Sequence, residues 1–102
     1  MQMIDVTRES FQREVADYPG TVLLDFFADR CSACRAMTPV LEDVANSDAD
    51  VKICKVDVDR NRALAQAFGI LSLPTLVVMK NGEIRNRSIG VTRKKAILDM
   101  LE

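Results

Sequence analysis

Val22-Leu23-Leu24-Asp25-Phe26-Phe27 leads through Ala28-Asp29-Arg30 into Cys31-Ser32-Ala33-Cys34, and Met37, Val40, Leu41 and Val44 follow at helical spacing. A short, almost wholly apolar run bounded by turn residues is the pattern of a strand covered on both faces. The apolar recurrence after it predicts a helix with the cysteine pair at its front, and Pro39 is expected to kink that helix. Asp25 breaks the apolar run. A carboxylate in such a strand loses hydration, which favours the protonated form and raises its pKa unless a cation compensates.

Upstream, Met3 to Val6 reads as a short strand, and Thr7 as the N-cap of a helix in which Phe11 and Val15 fall four apart, ended by Pro19-Gly20. Downstream, Val51 to Val58 is a strand, Asp59 is placed to cap a helix through Leu64 and Phe68, and Gly69 stops that helix. Thr75 to Met79 and Glu83 to Ile89 flank Asn81-Gly82, the strongest two-residue hairpin signal. A helix from about Thr92 to Leu101, with Ile97 and Leu101 on one face, closes the chain. The order strand, helix, strand, helix, strand, helix, hairpin, helix predicts an α/β fold: a mixed sheet of about five strands with about four helices on its faces.

The 102 residues suit one domain, here 1–102, with its own core. Apolar residues make up 48% and charged residues 28%, the balance of an ordinary globular protein. Fourteen basic and fifteen acidic side chains leave a net charge of -1, so the overall field attracts neither nucleic acid nor an anionic membrane. The longest apolar run is far short of a membrane span. Met1 to Asp5 carries no basic region leading into an apolar stretch, so a cytoplasmic location is expected. With no histidine in the chain, imidazole chemistry is excluded, and catalysis must draw on Cys, Asp, Glu, Lys or the backbone.

Three cysteines without a secretory signal are a poor basis for a structural disulfide framework. Two of them separated by two residues can close a small disulfide ring, and a helix start aims unpaired N–H groups at the first sulfur. Cys31 is therefore expected to have a lowered pKa and to act as the nucleophile, with Cys34 shielded one turn in and resolving the mixed disulfide. Arg30 adds a cation beside the nucleophile. Asp25 is a candidate base for the Cys34 thiol, directly or through a water, with Lys55 on the next strand as its partner. The bland alternatives are a wet or structurally paired Asp25, a solvated Arg30, and Cys54 as a small buried hydrophobe. Half of a zinc site is a further alternative, and it lacks ligands: one more cysteine and no histidine. No cofactor is called for.

The chain resembles the thioredoxin family over almost its whole length. The resemblance rests on Asp25-Phe26-Phe27-Ala28 leading to Cys31-Ser32-Ala33-Cys34, then Pro39, Lys55-Val56-Asp57-Val58-Asp59, Phe68-Gly69-Ile70, Leu73-Pro74-Thr75, Asn81-Gly82 and Gly90. It implies a cis bond before Pro74, with that proline against the cysteines, and Asp25 as a buried carboxylate near Cys34 with Lys55 close by. It also implies a shallow groove bordered by Ser72, Leu73, Gly90 and Val91, where the Leu73 backbone pairs with an extended substrate segment. Disulfide-containing protein substrates, a thioredoxin-reductase-like electron donor and a monomeric state are what it implies about partners.

The departures concern Arg30, Ser32 and Ala33, which the resemblance also places against the substrate. The family typically reads Trp-Cys-Gly-Pro-Cys, and this chain has no tryptophan. Losing proline between the cysteines restores an N–H that can stabilise the thiolate, which with Arg30 points to a couple more oxidising than ordinary thioredoxin. The altered surface also leaves room for a second function, a binding module for one dedicated partner with little redox turnover.

Overall fold

The computed structural model describes residues 3–102. β2 (Thr21–Phe27) forms its centre, with its five middle residues, Val22 to Phe26, all buried. It pairs in parallel with β3 (Lys52–Asp57), which pairs in parallel with β1 (Met3–Asp5). On its other side it pairs antiparallel with β4 (Thr75–Lys80), and β4 with β5 (Glu83–Ile89), so the strand order is β1-β3-β2-β4-β5. Asn81 (φ 54°) and Gly82 (φ 75°) make the expected hairpin turn, both in the left-handed region that such a turn demands.

Alternation along β2 sends its side chains into two layers. Leu24 and Phe26 join Val56, Val77 and Leu64 in one core. Leu23 joins Met37, Leu41 and Val44 of α1 (Ser32–Ala45) and Ile97 of α3 (Lys94–Met100) in the other. α2 (Arg62–Ala67) seals the first layer, where Phe68 at its end stands 5.1 Å from the Phe26 ring and 5.7 Å from Phe11. Among the described residues no helix is long and apolar enough to cross a membrane.

The helix expected after Thr7 is a single π-helical turn, Gln12–Ala16. Thr7 and Ser10 exchange the reciprocal bonds of a helix N-cap (Ser10 N–H to Thr7 Oγ1, 3.3 Å; Thr7 N–H to Ser10 Oγ, 3.0 Å), so Thr7 caps the turn leading into it as expected. The wider turn is closed by Asp17 N–H donating to the Gln12 carbonyl and, in parallel, Gln12 Nε2 donating to the Asp17 carboxylate. α2 begins at Arg62 with Asn61 as its N-cap, so Asp59 does not cap it. The preceding turn is held instead by the Asp57 carboxylate, which accepts from the Asp59 and Arg60 N–H groups. α3 starts at Lys94 because the Thr92 side chain bonds back to the Gly90 carbonyl and its N–H is donated to Met37 Sδ. α1 runs unbroken through Pro39, which is exposed and offers the Arg35 carbonyl no N–H.

Candidate active site

Cys31 is the N-cap of α1, in extended conformation, and the Cys34 N–H donates to its Sγ at 3.1 Å. That bond follows from the sequence: at a helix start the first N–H groups have no intrahelical acceptor, and the capping side chain here is a sulfur. Cys31 and Cys34 are joined in a disulfide, with Cα atoms 5.3 Å apart. Cys31 is half-buried, while Cys34 is only 5% exposed.

Asp25 is 1% exposed, and its Oδ1 has no hydrogen-bond partner. Burial pushes its pKa from the ordinary 3.8 up to about 6, against the opposing pull of Lys55. Asp25 lies two residues beyond Leu23, which packs on α1, so its side chain is on the same face and points to the layer that the cysteine pair enters. Lys55 is its register partner on β3, yet the two form no ion pair: the ammonium lies 4.5 Å from the centre of the Phe27 ring. Phe27, Cys34, Arg35 and Lys55 border a cleft of about 130 Å³, room for water beside the buried sulfur.

The Leu73–Pro74 bond is cis, as the resemblance implied, and Pro74 is buried. Thr75 pairs with Phe26 on one side and with Ile89 on the other. The loops carrying Cys31, Pro74 and Gly90 therefore emerge at one end of the sheet. Gly90 N–H donates to the Pro74 carbonyl (2.8 Å), and Thr75 Oγ1 to the Ser72 carbonyl (2.7 Å), which fixes the loop ahead of the proline. Among the described residues the Leu73 N–H and C=O make no hydrogen bond, and Ser72 and Val91 are exposed beside them.

Arg30 sits differently from expectation. Its guanidinium donates to both carboxylate oxygens of Asp59, each at 3.2 Å, so the cation beside Cys31 is half of an ion pair. A neutralised pair acts on a thiolate less than a lone charge does. Reading Asp59 as a helix cap missed this partner, 29 positions away; the one local sign was an acid-rich run ahead of α2 that a single cap does not use up. Ser32 is exposed and Ala33 half-buried in the first turn of α1. Cys54 is fully buried, and burial raises its thiol pKa to about 11, so it behaves as a small hydrophobe. No three of the described His, Cys, Asp and Glu residues cluster as metal ligands, and Cys54 lies in the layer opposite α1.

A mixed sheet between two helical layers, with a bonded cysteine pair capping a helix at the end of the central strand, defines a thioredoxin-fold dithiol–disulfide protein. The Thioredoxin family model matches residues 2–102. A thioredoxin of Bacillus subtilis (strain 168) is 38% identical over 102 residues, covering 99% of this chain and 96% of the relative. A thioredoxin of Rickettsia bellii is 35% identical over 98 residues, covering 95% and 93%. The structure of a mutant thioredoxin from Halobacterium salinarum NRC-1 superposes with a TM-score of 0.90 at 35% identity, covering 99% of this chain and 88% of that one. The chain belongs to the thioredoxin family, and it is a thiol–disulfide oxidoreductase acting on disulfide substrates through its Cys-x-x-Cys pair.

Proposed function

We propose that the protein is a monomeric cytoplasmic reductant or exchanger of disulfides in other proteins, with Cys31 as nucleophile and Cys34 as resolving thiol. The Cys31 thiolate attacks one sulfur of the substrate disulfide, forming a mixed disulfide and releasing one substrate thiolate. Cys34, having lost its proton, attacks Cys31 Sγ; the second substrate thiolate leaves and the Cys31–Cys34 bond forms. Two electrons have passed to the substrate, and a thioredoxin-reductase-like dithiol donor returns them. The carrying observation is the Cys34 N–H donated to Cys31 Sγ, which favours the Cys31 thiolate, together with the deeper burial of Cys34.

Asp25 takes the Cys34 proton, and its pKa of about 6 leaves it mostly ionised, and so available as a base, at neutral pH. Lys55 tunes that carboxylate through space. The unpaired backbone of Leu73, with Ser72, Pro74, Gly90 and Val91, receives an extended segment of the substrate, and Arg30, Ser32 and Ala33 meet it from α1. The second reading, a binding module without redox turnover, is not favoured by the bonded sulfurs or by the relatives.

The test is the Cys31–Cys34 reduction potential, read by alkylation and mass after equilibration in graded thiol–disulfide buffers. A value above ~-270 mV, toward ~-200 mV, is expected from the absence of proline between the cysteines. A value at or below ~-270 mV would remove the claim of a more oxidising couple, and a pair that forms no reversible disulfide would remove the redox mechanism.

A further inference from the structure

The charge of this chain is unevenly placed. Residues 80–95 hold Lys80, Arg85, Arg87, Arg93, Lys94 and Lys95 against the single acid Glu83, a net charge of +5; because the whole chain carries -1, the remainder carries -6. This segment runs from Lys80 at the end of β4 through the edge strand β5 to the start of α3, and no strand lies beyond β5 among the described residues. Every β5 residue except Ser88 is exposed. Arg85 is paired with Glu83 and Lys95 with Asp99, whereas Arg87, Arg93 and Lys94 have no carboxylate partner among the described residues.

Folding does not ask for these charges. Arg93 is the N-cap of α3 and makes no capping bond, and Lys94 and Lys95 open its first turn, which contains no acid. The dipole makes that end of a helix positive, so cations there oppose the helix and repel one another. A charge set that costs stability and is left unpaired is the kind of local inconsistency that function explains.

We infer that this margin is a docking surface for an acidic protein, set beside the redox pair so that the partner's disulfide or dithiol is led to Cys31. The inference rests on the proposed function for its purpose, though not for its test. The margin runs into Gly90 and Val91, next to the Pro74 loop, and the exposed Ile89 (67%) and Val91 (56%) stand between Arg87 and Arg93 along the chain. Apolar contacts ringed by charge suit a protein surface. A single-stranded nucleic acid would call for exposed aromatic side chains to stack its bases, and none stands among the exposed large apolar residues described.

The experiment measures binding of a fluorescent Asp/Glu-rich peptide, with serine in place of cysteine, to the disulfide form by anisotropy at low salt. Because this peptide cannot exchange disulfides, failure of the redox mechanism leaves the measurement intact. Arg93→Asp with Lys94→Glu should weaken binding on the order of tenfold. The same pair should raise the melting temperature, since it supplies an N-cap acceptor and acids to the first turn, so lost binding cannot be misfolding. Arg8→Glu with Arg62→Glu makes the same change in net charge elsewhere and should leave binding near wild type. Unchanged binding in the first pair, or equal loss in both, overturns the inference. An oligonucleotide of equal charge binding as tightly as the peptide overturns it in favour of nucleic acid.

Discussion

Asp25 carries an energetic cost that pH reveals. The folded protein holds this proton below about pH 6 and the unfolded chain only below about 3.8, so between those values the folded state binds more protons and stability falls as pH rises. The separation corresponds to about 3 kcal/mol, present in full above pH 6 and absent below about pH 4. Asp25→Ala should therefore be more stable than wild type at pH 7 by up to about 3 kcal/mol, with the gap closing in urea melts at about pH 4. Its release of substrate from the Cys31 mixed disulfide should be slower and lose the rise with pH near 6; an unchanged profile would take Asp25 out of proton transfer. Arg30 gives a second prediction. Asp59→Ala frees the guanidinium, which then favours the Cys31 thiolate and should raise the reduction potential; a lowered potential would count against any electrostatic role for Arg30.

Among the elements, the hairpin shows how closely residue choice and backbone agree. Gly82 holds φ 75°, a left-handed conformation that favours glycine, while a Cβ there would meet the Ala16 carbonyl oxygen at an ordinary contact distance of 3.4 Å. Gly82→Ala should cost about 1–2 kcal/mol, measured as a drop in the urea midpoint at constant slope. This turn was legible because its constraint is local: two residues, each with few allowed conformations. The π-helical turn and the start of α2 were not legible. The first is closed by the Asp17 N–H and the Gln12 side chain and the second is set by the Asp57 carboxylate on the Asp59 and Arg60 N–H groups, and apolar spacing carries no trace of either.

In the molecule as a whole, one sheet is shared by two cores, so neither layer can dissolve without exposing β2. Leu41, fully buried in the α1 layer, should cost about 2–5 kcal/mol when changed to alanine. The single tyrosine, Tyr18, packs against the opposite layer and there is no tryptophan, so its fluorescence reports the far core. Tyrosine fluorescence and far-ultraviolet circular dichroism should shift together in Leu41→Ala. Two separated transitions would show that the layers unfold independently.

The order of the elements, the hairpin and the cysteine pair at a helix start could all be read from the residues alone, because each is written in neighbours or in short periods. Asp25 stood out for the same reason, since a carboxylate inside an apolar strand is anomalous wherever that strand is placed. Nothing local shows that Lys55 lies over Phe27 without pairing with Asp25, or that Arg30 is bound to Asp59; the packed chain settles both. Those outcomes depend on which strand ends meet, and a charge takes its partner from whatever the fold brings within reach, over distances along the chain that no local pattern encodes.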